Sequence, residues 1–112
     1  NAKRLNEFVS VSPQIQPEDV ASIAQQGFKT IINNRPDLEG GQSQPLGSDI
    51  EKAAIENGIH YVALPVIPGN ITDKDVIRFK ELLDSCPTPI FAFCRSGARS
   101  TKLFETQQSI IS

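Results

Sequence analysis

The sequence predicts an α/β fold: a single domain, residues 1–112, in which helices cover both faces of a parallel sheet. Short apolar segments typical of strands alternate with helix-forming segments along the chain. Crossover connections of helical length are right-handed and place successive strands parallel to one another. A chain of 112 residues is long enough for one hydrophobic core and too short for a second.

The chain begins with a strand, a helix and a second strand. Residues 8–11 form a short apolar segment typical of a strand. Pro17 suits the first turn of a helix over residues 17–26, whose apolar residues recur at helical spacing, and Gly27 ends it. Residues 28–33 are the second predicted strand.

A long loop and another helix and strand come next. Residues 34–47 are rich in turn-forming residues, and loops of this length in small domains often carry function. Ser48 with Glu51 three residues later is typical of a capping box, which predicts a helix over residues 48–57. Residues 59–66 are the third predicted strand.

The last third of the chain contains two helices with a buried strand between them. Thr72 and Asp75 form a second capping signal, so a helix is predicted to begin there. An apolar run that begins at residues 89–90 and ends on Cys94 predicts the central strand of the sheet, and the final helix is predicted over residues 99–110.

A short polar loop between that central strand and the final helix is the predicted anion-binding site. The backbone N–H groups of the loop and the positive end of the helix dipole converge next to Cys94, and Arg99 can add paired donors. The same field favours a thiolate, so Cys94 is a predicted nucleophile with a pKa below its reference of about 8.5. The other predicted members of the loop are Arg95, Ser96, Gly97, Ala98 and Ser100.

Residues outside this loop are second-tier candidates by topology. Ligands of parallel sheets bind beyond the carboxyl ends of the strands, where the loops after residues 33, 66 and 94 meet. Arg35 and Asp37 lie in the first of these loops, and an equally plausible interpretation is that they solvate a surface turn. Asp37 or Asp73 could serve as a general acid, although Asp73 also suits the first turn of a helix.

Several other chemistries find little support in the composition. One histidine, His60, and two separated cysteines do not make a metal-ligand set or a hydrolytic triad, and no cofactor is expected. A strand of eight residues would hold Cys86 and Cys94 about 26 Å apart, beyond the limit of about 7 Å for a disulfide. Cys86 is therefore expected to be structural.

The net charge and hydropathy of the chain limit the classes of partner that we expect. A net charge of −2 gives no reason to expect nucleic acid or an anionic membrane as a partner, and no apolar run approaches a membrane span. A cytoplasmic location is expected. The first residue, Asn1, is not methionine, so either the initiator is removed or a leader is missing, and the oligomeric state stays open.

The chain resembles the small bacterial phosphatase-like domain found alone or fused in beta-lactamase hydrolase-like proteins, a branch of the dual-specificity and tyrosine phosphatase superfamily. The matching stretches run along nearly the whole chain: residues 11–15, 17–19, 32–37, 64–66 and 94–100. The resemblance implies a dual-specificity-phosphatase-like fold in which Cys94 attacks phosphorus. It also implies that Arg99 and the loop amides hold the equatorial oxygens and that water releases the phosphocysteine.

The active-site motif differs from that superfamily in three respects. Four residues separate Cys94 from Arg99 where the superfamily has five, and Phe93 replaces the histidine that precedes the cysteine in tyrosine phosphatases. Residues 65–70 carry no carboxylate where those enzymes place a general acid, which is worth typically about 10²–10⁴-fold.

The shorter loop leaves two further functions open. It is similar to the loop of rhodaneses, so a sulfurtransferase that carries a persulfide on Cys94 is the first alternative to a phosphatase. A non-catalytic module that binds oxyanions is the second. A phosphate- or sulfur-containing substrate is expected in the first two cases.

Overall fold

The computed structural model describes residues 2–110; Asn1, on which the expectation of a removed initiator rests, and residues 111–112 lie outside the described residues. Within them the strands are β1 (Lys3–Arg4), β2 (Val9–Ser12), β3 (Thr30–Asn33), β4 (His60–Ala63) and β5 (Ile90–Phe93). The helices are α1 (Val20–Gln25), preceded by a 3₁₀ turn (Pro17–Asp19), α2 (Gly47–Glu56), α3 (Asp73–Ser85) and α4 (Ala98–Ile110).

The five strands form one sheet in the order β1-β2-β5-β3-β4, with β5 at its centre. Strands β2, β5, β3 and β4 are parallel, which confirms the predicted α/β fold class. The two-residue strand β1 adds an antiparallel edge, with Lys3 opposite Val11. The sequence gives no signal for β1, because two exposed charged residues lack the apolar alternation of a strand.

Each face of the sheet carries its own hydrophobic cluster because successive side chains of a strand point to opposite faces. Ile31 and Phe91 pack with Val20 and Ile50 of helices α1 and α2. The neighbouring strand residues Ile32, Ile90 and Ala92 pack on the other face. The helical residues that cover that second face are Val76, Phe79, Leu82, Leu103 and Phe104.

Two predicted boundaries differ from the structure in ways that matter for the site. Strand β4 ends at Ala63, not at residue 66, because the segment that follows includes Pro65, which has no N–H to donate. The predicted capping box at Ser48 and Glu51 is wrong: α2 begins at Gly47, one residue earlier.

The capping box at the start of α3 is confirmed. The Asp75 N–H donates to Thr72 Oγ1 at 3.1 Å, and the Thr72 N–H donates to Asp75 Oδ2 at 3.0 Å.

Across residues 2–110, none of the helices has the length and apolarity needed to cross a membrane.

Candidate active site

The loop from Cys94 to Arg99 turns back on itself at the carboxyl end of β5. The Gly97 N–H donates to Cys94 Sγ at 3.1 Å. Gly97 has φ of +93°, and a Cβ there would lie 3.4 Å from the carbonyl carbon and oxygen of Ser12. A side chain at this position would have to adopt a left-handed backbone conformation, which explains why the turn uses glycine.

The environment of Cys94 favours the thiolate. Burial of the fully enclosed side chain raises its pKa, but hydrogen bonds from the backbone N–H groups of Ser100, Arg99, Gly97 and Ser96 lower it. The net effect places the pKa of Cys94 below its ordinary value of 9.0. The thiolate is thus stabilised by amides at the start of α4, as expected for an anion at a helix N-terminus.

Segments that follow three other strands hold the loop in place. The Gln14 N–H, in the segment after β2, donates to the Arg95 carbonyl at 3.2 Å. The buried Ser100 hydroxyl donates to Asn34 Oδ1 at 2.8 Å, and Asn34 Nδ2 donates to the Leu64 carbonyl at 3.0 Å. Segments after three parallel strands therefore brace the Cys94–Arg99 loop and the start of α4, and the hydrogen bond between Ser100 and Asn34 is buried.

The Arg99 side chain forms a two-pronged ion pair with Glu39. Arg99 Nη1 donates to Glu39 Oε2 at 2.8 Å, and Nη2 donates to Oε1 at 2.7 Å. Nη1 also donates to the Val66 carbonyl at 2.9 Å. Paired contacts of this type fix the orientation of the guanidinium plane as well as its position.

Arg35 joins the same cluster from the loop after β3. Its Nε donates to Glu39 Oε1 at 2.9 Å and its Nη1 donates to Gln14 Oε1 at 3.1 Å. The hydrogen bond from Arg99 lowers the pKa of Glu39, and although partial burial opposes this, Arg35 adds to the lowering. Glu39 is therefore ionised at neutral pH and links two guanidinium groups.

A cavity of about 770 Å³ opens over this cluster. Its charged walls are Arg35, Arg95, Arg99 and Glu39, so cationic side chains outnumber the carboxylate three to one. The remaining lining residues are Gly40, Pro68, Gly69, Ser96 and Ala98. A cavity with this excess of guanidinium groups suits an anionic ligand.

The structure does not bring the two predicted acid candidates to this cavity. Asp37 Oδ1 accepts a hydrogen bond of 2.8 Å from the N–H of Gly47 at the start of α2, and Asp37 lines a separate, smaller cavity with Tyr61. Asp73 is exposed in the first turn of α3. Both carboxylates lie where helix dipoles favour them.

Sequence reasoning missed Glu39. It lies in the long loop four residues after Arg35, but that spacing predicts an ion pair only within a helix, and the loop is irregular.

The exposed Ser96 side chain has a local role, because its Oγ accepts from the Ala98 N–H at 3.3 Å. Within residues 2–110 there is no cluster of three or more histidine, cysteine or acidic side chains placed to hold a metal ion.

Comparison with known proteins places this geometry in a family. Residues 1–111 match the family model described as "Beta-lactamase hydrolase-like protein, phosphatase-like domain". A beta-lactamase hydrolase-like protein of Agrobacterium fabrum is 36% identical over 103 residues, which cover 92% of this chain and 24% of that protein. The chain thus spans about a quarter of the length of the curated relatives it matches.

Solved structures give the same result at the level of the fold. A protein of Neisseria meningitidis Z2491 described as a candidate phosphatase superposes with a TM-score of 0.88 and 36% identity, covering 95% of this chain and 75% of that one. The core catalytic domain of a PP-IP phosphatase from S. cerevisiae gives a TM-score of 0.66 at 16% identity, covering 96% and 74%. P. aeruginosa TpbA in complex with pTyr gives 0.66 at 16% identity, covering 87% and 54%.

At 16% identity the last two likenesses concern the fold alone. The family match, in contrast, extends over almost every residue and includes the loop that surrounds Cys94. The chain therefore belongs to the family of phosphatase-like domains of beta-lactamase hydrolase-like proteins, which has the fold of the cysteine-based phosphatases.

Proposed function

We propose that this domain hydrolyses phosphoesters with the Cys94 thiolate as nucleophile. The observation that carries the proposal is the set of backbone N–H groups around Cys94 Sγ, which lower the pKa of the thiol. The thiolate, whose formation a lowered pKa favours, is the form of cysteine that attacks electrophiles. Membership of a phosphatase-like family supports phosphorus as the atom attacked.

In the first step Cys94 Sγ attacks the phosphorus atom of the substrate. The S–P bond forms while the P–O bond to the leaving group breaks, and the leaving oxygen takes the electron pair. The loop amides and the Arg99 guanidinium face the equatorial oxygens, on which charge is spread in the transition state. Donors fixed before the substrate arrives need no reorganisation during the reaction.

In the second step water attacks the phosphorus atom of the phosphocysteine. The S–P bond breaks, its electron pair returns to Cys94 as a thiolate, and inorganic phosphate leaves with the oxygen of the water. The amides that stabilise the thiolate in the free protein also make it a good leaving group in this step.

The charged groups that line the cavity limit which leaving groups can depart from a bound substrate. Glu39 is the carboxylate that lines the cavity among the described residues, and its lowered pKa keeps it ionised and unable to donate a proton. The leaving oxygen must then take its proton from water after departure. Aryl phosphates, whose phenols are acidic, fit this requirement better than alkyl phosphates.

The proposal is tested by hydrolysis of p-nitrophenyl phosphate. We expect Cys94→Ser to lower kcat/KM by about a thousandfold or more, because the nucleophile is lost. Cys86→Ser is the matched control: Cys86 is also a free thiol, but it caps the end of α3 and should leave the rate unchanged. Orthovanadate should inhibit the wild-type protein, and hydrolysis that persists in Cys94→Ser would contradict the mechanism.

The sulfurtransferase alternative is not favoured by the family match. A sulfurtransferase would still be distinguishable from a phosphatase, because thiosulfate would then add one sulfur atom to Cys94. A module that only binds anions would be stabilised by phosphate and would show neither reaction.

A further inference from the structure

The ion pair between Arg99 and Glu39 uses only part of the guanidinium group. Arginine has five N–H donors. Glu39 takes one from each terminal nitrogen, and the Val66 carbonyl takes the second donor of Nη1. Nε–H and the remaining Nη2–H have no acceptor among residues 2–110, and these two donors lie on the same edge of the plane. One complete fork of Arg99 is thus left for a ligand.

The loop that carries Glu39 is fixed from several directions. Leu38 has φ of +65°, a left-handed conformation that a leucine adopts only when its surroundings impose it. The side chain of Gln44 spans the loop, accepting from the Gly40 N–H at 2.7 Å and donating to the Pro36 carbonyl at 2.9 Å. The position of the Glu39 carboxylate is therefore a property of a braced loop.

Arg35 binds the same carboxylate, and both arginines donate to its Oε1 atom. It is 9% exposed, and its hydrogen bond to Gln14 connects Glu39 to the segment after β2. A Cβ on Gly40 would lie 2.5 Å from Arg35 Nη2, so a side chain at residue 40 would displace this guanidinium. The small residue beside Glu39 lets Arg35 pack against the loop.

We propose that Glu39 is a positioning residue: together with Arg35 it holds Arg99 so that the Nε–Nη2 edge is presented to a phosphoryl group above Cys94. This inference rests on the proposed function of the same site. The Arg99 guanidinium then makes two paired contacts at once. Its two terminal nitrogens bind Glu39, and its Nε–Nη2 edge binds the substrate. The carboxylate neither donates a proton nor has to leave when the substrate binds.

The variant Glu39→Gln tests the inference. The amide keeps one acceptor oxygen but turns N–H donors toward the other nitrogen of Arg99, so the paired contact is lost. We expect kcat/KM to fall by about tenfold to a hundredfold, the cost of a misplaced catalytic group. Inorganic phosphate, measured by its effect on the melting temperature and by calorimetry, should bind about tenfold more weakly.

The leaving-group dependence separates positioning from acid catalysis. A positioning residue should cost the same fold-change with p-nitrophenyl phosphate and with phenyl phosphate, whose leaving group is much less acidic. A loss that is larger for phenyl phosphate would make Glu39 the general acid and would overturn the inference. Tighter phosphate binding in Glu39→Gln would instead show that Glu39 obstructs the site, and would overturn it too.

A double-mutant cycle tests whether Glu39 acts through Arg99. In an Arg99→Lys background the fork is already gone, so adding Glu39→Gln should change kcat/KM and phosphate affinity by less than about twofold. Full additivity would contradict the inference. Glu56→Gln, an exposed glutamate at the end of α2, is the matched control for charge removal.

The role of Glu39 can still be tested if Glu39→Gln does not fold or if the protein hydrolyses no phosphoester. If Glu39→Gln does not fold, Glu39→Asp keeps the charge beside Arg35 but shortens the reach to Arg99, and its phosphate affinity should fall between wild type and Arg99→Lys. If the wild-type protein hydrolyses no phosphoester, the proposed function fails, and the phosphate-binding measurements still decide the role of Glu39. Equal phosphate affinity in wild type and a folded Glu39 variant overturns it.

Discussion

Cys94 combines two properties that usually oppose each other, full burial and a stabilised negative charge. Backbone N–H groups of the turn and of the start of α4 outweigh the cost of burial, and among them the Gly97 N–H donates to the sulfur at 3.1 Å. The side chain needs no neighbouring cation for this effect. Phe93, which precedes Cys94, is buried in the core, and its side chain has no group that could form a hydrogen bond to the thiol.

The lowered pKa of Cys94 predicts the pH dependence of its alkylation. In a Cys86→Ser background, the rate of reaction with iodoacetamide should rise with pH and reach half its maximum below the midpoint measured for the same chain in denaturant. The reason is that folding stabilises the thiolate over the thiol. A midpoint equal to or above that of the unfolded chain would contradict the assignment.

The same shift links pH to stability. A group whose pKa is lower in the folded protein stabilises the fold fully above its unfolded pKa, and the contribution is lost as pH falls through the folded value. The thiolate of Cys94 therefore adds stability toward alkaline pH, and Cys94→Ser should remove that increment.

At the residue scale the sequence identified the loop but not its partner. Cys94, Gly97 and Arg99 are recognisable because a strand, a glycine turn and a helix with an arginine form a local pattern. Glu39 is distant in sequence and meets Arg99 only through the tertiary fold. Contacts of this type depend on side-chain orientation, for which a single sequence carries no periodic signal.

At the scale of elements, the loop between β3 and α2 does two jobs. One part delivers Arg35 and Glu39 to the cavity, and the other places Asp37 against the first N–H of α2. Leu46 is the N-cap residue and makes no side-chain hydrogen bond there, so Asp37 takes over the capping role from a distance. This substitution explains why the local capping signal at Ser48 predicted the wrong start.

Asp37→Asn should therefore affect the helix more than the chemistry. Loss of the charge next to the N-terminus of α2 should cost about 0.3–1 kcal/mol of the free energy of unfolding, measured by urea denaturation. We expect kcat/KM for p-nitrophenyl phosphate to stay within about twofold of wild type. Because a general acid is worth about 10²–10⁴-fold, a loss of that size would instead return Asp37 to the catalytic machinery.

At the scale of the whole molecule, the parallel sheet is what assembles the site. The loops after β2, β3, β4 and β5 meet at one edge, and they contribute Gln14, Arg35 with Glu39, Pro68, and the Cys94–Arg99 loop. The convergence of the last three loops follows from topology and was predictable from the alternation of strands and helices. The edge strand β1 and the inner geometry of the loops were not, because they depend on a few local hydrogen bonds.

Acid quenching during turnover of an aryl phosphate tests whether Cys94 forms a covalent bond to phosphorus. Peptide mass spectrometry of the quenched wild-type protein should find a phosphoryl group on Cys94, with none in Cys94→Ser. Turnover without that adduct would contradict the account. So would a protein that gains one sulfur atom on Cys94 from thiosulfate and hydrolyses no phosphoester.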